Sequence, residues 1–380
     1  MDMRELPHPS RHRAWVEVDL QAIADNVGVF RRLAGSGRQV MPAVKADAYG
    51  HGAVAAARAA LAGGADRLAV ATCLEGQELR EAGIGTPIQL LGALLPEEAR
   101  AVVRLNLIPS LHELDLARLI SIEAVMAGRI VPVQMKIDSG MGRLGVLPEK
   151  AATTALEIAS LPGLSLEGVF THFADAADAA YSREQLARFN AASAGIEAAG
   201  VTGFLRHAAS TTAALLYPES FFDMIRPGAG VYGYASPDGL ARDAALRPAL
   251  AWRSLVIQIK NYPPAANLGY NRTFTTRRPT RVALLPVGYA DGYRREFSNR
   301  ALVIINGKRV PVLGMVSMDY AMADVTDLED VAPGAVATLL GEDGAERITA
   351  EELAAWGGTI PYCLTSGIGP RVARVYMETP

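Results

Sequence analysis

Between Asp19 and about Arg242 the chain repeats one pattern: a short apolar run, a turn, then an alanine-rich stretch with helical spacing. Eight such runs follow the first helix, beginning near Val40, Leu68, Ile88, Leu107, Ile130, Leu166, Gly203 and Phe222. Strands joined through helices run parallel, because each helix carries the chain back to the edge it left. Eight of them close into a (β/α)8 TIM-type barrel, whose usual length of roughly 250 residues fits this portion. The expected class is therefore α/β.

From about Ala249 the pattern changes. Trp252–Lys260, Arg281–Val287, Ala301–Ile305, Val310–Gly314 and Val336–Leu340 are separated by Pro-, Gly- and Asn-rich turns with no alternating helix, which predicts a mostly-β C-terminal domain. Asn306-Gly307 between two apolar runs is a hairpin turn. The expected division is a barrel domain over 12–242 and a β domain over 243–380, with the linker starting in Ala235–Gly239. The run 14–18 precedes the barrel count and is expected to pair with the β domain.

Half of the 380 residues are apolar, enough for a large core. Lys plus Arg number 37 against 40 acidic residues, a net charge of −3, and no basic block exceeds Arg277-Arg278 or Arg294-Arg295, which argues against nucleic acid. The opening MDMRELPHPSRHR lacks the apolar core of a signal peptide, and no run approaches the roughly 18 apolar residues of a membrane span. Cys73 and Cys363 stand without CxxC spacing or a histidine cluster, so neither a disulfide nor a metal is expected. A reduced, cytoplasmic protein is the expectation.

Chemistry concentrates at the predicted strand ends. Lys45 follows the apolar stretch Arg38–Val44 and precedes A-D-A-Y-G-H-G, with Tyr49 four residues on and two glycines in the loop. A partly desolvated amine at the carboxyl end of a barrel strand can lose its proton and attack a carbonyl. Lys136-Ile137-Asp138-Ser139-Gly140-Met141-Gly142-Arg143 sets two cations and one carboxylate in a glycine-rich exit, unfavourable if buried without a bound anion. Thr171-His172-Phe173, Arg206–Ser210 and Ile225–Gly230 place further polar groups at strand exits. Ser210 before a helical stretch, with the backbone of Gly228-Ala229-Gly230, has the makings of a phosphate cradle or simply of a helix cap and a turn.

Taken together, AVKADAYGHG, KIDSGMGRLG, THFADA, HAAS, DMIRPGAGVYG, LGYNRTF, PVGYADGY, VSMD and TIPYCLTSGIGPRV resemble alanine racemase, a pyridoxal-phosphate enzyme of the fold type III barrel group, from about residue 12 to the end. The resemblance implies that Lys45 binds pyridoxal 5′-phosphate as an imine and doubles as an acid/base. It implies that Tyr270 is the second catalytic group, lent by the neighbouring subunit of a homodimer with shared active sites. Arg226 would hydrogen-bond the pyridine nitrogen, and Arg143 the cofactor phenolate and the substrate carboxylate. Lys136 would be carbamylated to hold Arg143, and His172 would buttress Tyr270 and Arg226. Tyr49, Ser210, Gly228, Ala229 and Tyr362 would bind the phosphate, and the Met318 backbone from the partner subunit the substrate carboxylate, with Asp319 and Tyr289 in support. The implied role is D-alanine supply for peptidoglycan.

Asn271 stands where the family usually has glycine, Ser317 where it often has cysteine, and Ala209 where some members have asparagine. The first two leave room for a broader alanine/serine racemase. A fold type III decarboxylase would need a catalytic cysteine near Met318, where Ser317 stands. A protein that only stores the coenzyme would need neither Tyr270 nor the β domain.

Overall fold

The computed structural model describes residues 12–235 and 239–377; residues 1–11, Ser236-Pro237-Asp238 of the expected linker and the last three residues lie outside it. Two compact units emerge, Gln21–Pro248 and the described residues of Met1–Leu20 with Ala249–Pro380. Strand β1 (Ala14–Asp19) belongs to the second unit.

In the first unit, β2 (Gln39–Val40), β3 (Leu68–Val70), β4 (Ile88–Leu90), β5 (Ile108–Leu111), β6 (Val131–Lys136), β7 (Leu164–Phe170), β8 (Leu205–His207) and β9 (Met224–Ile225) are the eight barrel strands. Parallel pairing runs unbroken from β3 to β8, and β2 pairs with β9 through Gln39↔Met224 and Val40↔Ile225. Two seams complete the ring. Val44 N donates to Ala69 O at 2.8 Å, and Arg226 N to Ala209 O at 2.8 Å. Strands this short are legible in the sequence because both faces are covered, so most of their residues are apolar.

The helices cover the ring with one face each. Leu20–Ala34 buries Ala22, Ile23, Asn26, Val27, Phe30 and Ala34, the three- and four-residue spacing of an amphipathic helix. Burying Phe30 contributes about 1.5–3 kcal/mol. Asn26 is the polar exception: its Nδ2 donates to Val231 O and Arg247 O, and Arg247 N donates back to its Oδ1, which fastens the stretch before Pro248 to this unit.

One strand pair is irregular. Val133 lies opposite Leu166 but Gln134 opposite Gly168, so Glu167 is an extra residue in β7, a bulge that re-aims its side chain.

The second unit holds a sheet ordered β16 (Lys308–Pro311), β15 (Leu302–Ile305), β18 (Val336–Asp343), β10 (Leu250–Leu255), β1, β20 (Ala373–Met377), with β19 (Glu346–Ile348) on β18. Its β1 lies between β10, antiparallel with Val16 facing Trp252, and β20, parallel with Val16 facing Arg374. A second sheet is β11 (Gln258–Tyr262), β14 (Thr280–Leu285), β17 (Ala321–Asp324), and β12 (Asn267–Leu268) pairs with β13 (Phe274–Thr275). The segment expected over Trp252–Lys260 is thus two strands in different sheets, divided at Val256-Ile257. Asn306 and Gly307 take φ 50° and 68° in the β15–β16 hairpin. Two helices missed in the sequence, Ala350–Gly357 and Pro361–Thr365, sit near the end; the first starts at a Thr349 cap that accepts from Glu352 N. No helix among the described residues is long and apolar enough to cross a membrane.

Candidate active site

Lys45 stands where β2 runs out, and the four residues after it wind the wrong way. Ala46, Asp47, Ala48 and Tyr49 all take φ between 52° and 56°, a left-handed turn with no glycine in it. Each such residue costs about 1–2 kcal/mol, so the surroundings must hold it. They do so by hydrogen bonds: Ala46 N donates to Glu75 Oε1, Ala53 N to Asp47 Oδ1, both at 2.7 Å, and Ala48 N to Val44 O at 2.9 Å. Glu75 is fixed in turn by Ala71 N and Thr72 N. The turn brings the Tyr49 hydroxyl against Gly228, where a Cβ would approach it to 2.6 Å. Tyr49 also packs on Tyr232, whose buried hydroxyl donates to Ala43 O at 2.9 Å.

Positive charge accumulates around this lysine. Burial pushes its ammonium below the ordinary value, the Arg143 guanidinium pushes further, and Glu75 opposes them. Lys136, at the end of β6, is lowered to about 8 by burial, then by Arg143 and Arg226, with Lys45 adding and Asp138 opposing. His172 is lowered to about 3 by burial and then by Arg226, Lys136, Lys45 and Arg143, so its imidazole is neutral at physiological pH. The one carboxylate in the strand exit is already engaged. Asp138 Oδ1 accepts from the N–H groups of Gly140, Met141 and Gly142 and its Oδ2 from Arg143 N; burial alone would raise its pKa, and these four bonds lower it instead. Asp138 shapes the loop and leaves the cations for something else.

Arg226 follows β9 and is 5% exposed. Its Nη1 donates to His207 Nδ1 at 2.8 Å, and its Nη2 to Thr171 O at 2.7 Å and Ala208 O at 3.1 Å, with His172 Nδ1 at 3.5 Å. The guanidinium lies 5.3 Å from the centre of the Phe170 ring. Burial lowers its pKa to about 9, which leaves it cationic at neutral pH. No carboxylate lies within ion-pair distance of it among the described residues.

The expected phosphate cradle is partly assembled. Ser210 caps the helix Thr211–Leu216 by position, but its hydroxyl makes no capping bond. The N–H groups of Gly228 and Gly230 are not free as expected: both donate to Thr211 Oγ1, at 2.9 and 3.0 Å. What Gly228 contributes is the missing Cβ beside Tyr49, while Ala229 opens a short 3-10 turn through Tyr232.

In the second unit, Tyr270 sits in the loop between β12 and β13 and is 70% exposed. It lines a cavity of about 880 Å³ with Asn271, Tyr289, Arg294, Met318 and Asp319. Asn271 takes φ 57° and ψ 7° there, a conformation that glycine favours and asparagine tolerates. The Met318 loop is clamped by Gly288, where a Cβ would fall 2.3 Å from Ser317 O, and by Tyr289 N and Ala290 N donating to Ser317 O and Met318 O. Arg371 ties the loop down, holding Asp291 through two bonds and Asp319 at 2.8 Å. Tyr362 lies in the helix Pro361–Thr365 of the same unit. The sequence had pointed to neither Arg371 nor Thr211, nor to Gln134 and Glu167 inside the barrel, since each reads as an ordinary polar residue until its partners are in place.

A closed barrel with a desolvated lysine at one strand end, cations at the neighbouring ends and a tyrosine-bearing β unit on the same chain has the architecture of a barrel enzyme. The family model for the alanine racemase N-terminal domain matches residues 18–236, and that for the alanine racemase C-terminal domain matches residues 249–376. The chain belongs to the alanine racemase family, and its reaction is the racemisation of alanine. It is 43% identical to the alanine racemase of Symbiobacterium thermophilum over 95% of this chain and 96% of that one. It is 42% identical to that of Carboxydothermus hydrogenoformans over 96% and 99%. The crystal structure of alanine racemase from D-cycloserine-producing Streptomyces lavendulae superposes with a TM-score of 0.92 at 34% identity, covering 99% of each chain. That from Bacillus anthracis with bound L-Ala-P gives 0.91 at 33% identity, covering 97% and 96%.

Proposed function

We propose that the chain carries pyridoxal 5′-phosphate on Lys45 and interconverts L- and D-alanine with two proton carriers, Lys45 Nζ and Tyr270 Oη. The observation that carries this reading is the convergence of Lys45, Lys136, Arg143 and Arg226: beside the effect of burial, Arg143 lowers the proton affinity of both lysines and Arg226 and Lys45 lower that of Lys136, while Asp138 is engaged with the loop backbone. Such an excess of cations is unfavourable without an anion, and a phosphate ester with a substrate carboxylate supplies two. The pocket suits the coenzyme on its own terms. Gly228 leaves open the space beside the Tyr49 hydroxyl that a Cβ would fill, and Ser210 has a hydroxyl without a capping bond near a helix start. When bound, the coenzyme would accept the electron pair left on Cα as its proton departs.

The chain's residues do the rest. Lys45, its ammonium destabilised by burial and then by Arg143, gives up its proton more readily than an ordinary lysine; the free amine could condense with an aldehyde carbon with loss of water, and Nζ could later carry a proton. Arg226 would donate to the ring nitrogen of the coenzyme and, being cationic, has no lone pair with which to accept a proton there. Arg143 would hold the substrate carboxylate together with the Met318 N–H lent by the partner subunit, with a carbamate on Lys136 restraining Arg143. Racemisation needs a second group on the face of Cα opposite Lys45, and the exposed Tyr270 is suited to serve the partner subunit of a homodimer. Tyr362 is the phosphate ligand that the resemblance alone assigns; Asp319 and Tyr289 hold the Met318 loop, and His172 packs on Arg226. The protein is cytoplasmic in this reading and supplies D-alanine for peptidoglycan. A broader specificity that includes serine has one observation in its favour: Asn271 and Ser317 share a cavity wall with Met318.

Incubation with a panel of L-amino acids in D2O, following α-deuteration and optical rotation together, tests the reading. Alanine should deuterate and lose rotation at one rate; Lys45→Ala should do neither, and Tyr270→Phe should slow the L-to-D direction by about 10²–10⁴-fold. Evolution of carbon dioxide, or deuteration with rotation retained, would refute it.

A further inference from the structure

A column of polar side chains runs through the barrel interior from Arg226 to the opposite end of the strands, where apolar layers are the usual filling. Arg226 Nη1 meets His207 Nδ1 at 2.8 Å; His207 Nε2 meets Gln134 Oε1 at 3.0 Å; Gln134 Nε2 meets Glu167 Oε2 at 2.8 Å. Glu167 receives both terminal nitrogens of Arg67, at 2.8 and 2.9 Å, and Arg67 Nε donates to Gln39 Oε1 at 2.6 Å. His207 and Gln134 have no exposed surface, and Phe170 stacks on the imidazole at 4.9 Å.

Two features show that the column is built into the backbone. The β7 bulge makes Glu167 the additional residue of its strand and brings its carboxylate to Gln134. Beside it, Gly168 leaves the space that the Gln134 amide fills, since a Cβ there would stand 2.3 Å from Gln134 Oε1.

The chemistry of the ends dictates the middle. A guanidinium can only donate and a carboxylate can only accept, whereas the imidazole and the amide between them can each do both. With Glu167 accepting, Gln134 turns its NH2 toward the carboxylate and its oxygen toward His207, so the imidazole proton sits on Nε2 and Nδ1 is bare to accept from Arg226. We propose that Glu167 is a positioning residue for the racemase reaction, acting through Gln134 and His207 to orient Arg226 as a donor. This rests on the role given to Arg226 under the proposed function.

The test is long-range ¹⁵N–¹H spectroscopy of the histidine-labelled full-length protein as purified, with kcat and KM alongside. The wild type should show His207 as the neutral Nε2–H tautomer between pH 6 and 8; an Nδ1–H or doubly protonated ring would overturn the proposal whatever the variants do. In Glu167→Gln the terminal amide no longer fixes the direction, so Gln134 can reverse. A mixture of His207 tautomers should appear, with kcat lowered about tenfold and KM within about twofold. Arg67→Gln removes the ion pair but keeps the acceptor, and should leave the tautomer unchanged. A Glu167→Gln protein with native His207 shifts and kcat, or an Arg67→Gln protein that scrambles the tautomer equally, would sink the idea. The tautomer is read whether or not coenzyme is bound, so a protein that takes up no coenzyme would count against the racemase reading and not against the column.

Discussion

At the scale of residues, the site is governed by like charges held close together. Lys136 titrates at about 8 in the fold against an ordinary 10.5. Between those values the unfolded chain keeps a proton that the native one has released, so stability rises with pH across that window. In buffer free of carbon dioxide, Lys136→Met should therefore be more stable than the wild type at pH 7, with the difference shrinking between pH 8 and about 10 in urea unfolding. A difference constant over that range would mean that the amine is not under charge strain. Lys45, Arg143, His172 and Arg226 stood out in the sequence because charged groups after apolar runs are conspicuous. Gln134 and Glu167 did not, because a lone polar residue within a strand reads as its solvent face, and only the bulge turns this pair toward each other. Asn271 shows the reverse case: the sequence marked it as a departure, and its positive φ explains why asparagine can stand in for glycine.

Among the elements, the left-handed turn Ala46–Tyr49 is the most demanding. Ala-Asp-Ala-Tyr contains no glycine or asparagine, so local sequence gave no warning; Glu75 holds the winding from a distance, and Asp47 within the turn accepts from Ala53 N. Ala46 is exposed, and Ala46→Gly should raise stability by about 1 kcal/mol, or about 2–4 °C in Tm, once the entropy of glycine is set against the strain relieved. An unchanged or lower Tm in calorimetry would show that the turn is not strained. The eight barrel strands were legible because burial on both faces writes them as apolar runs. In the second unit β12, β13 and β19 are two or three residues long, too short to carry a period, and the two helices near the end were hidden among turns.

For the whole molecule, the distribution of groups favours assembly. Tyr270 and Met318 are exposed in the wall of an open cavity, as expected of residues that serve another chain. Dilution through the dimer dissociation constant should lower specific activity in proportion to the dimer remaining by ultracentrifugation. A monomer with full turnover would contradict the shared site. The position of β1 carries a different consequence. Among the described residues, the first strand in chain order is an inner strand of its sheet, and one of its neighbours, β20, is the last. At about 5–20 residues per second, a ribosome needs on the order of tens of seconds to reach that neighbour. Until β10 is made both edges of the nascent Ala14–Asp19 segment are unsatisfied, and one stays so until β20 follows; a chain cut short before residue 373 would keep that edge open to aggregation.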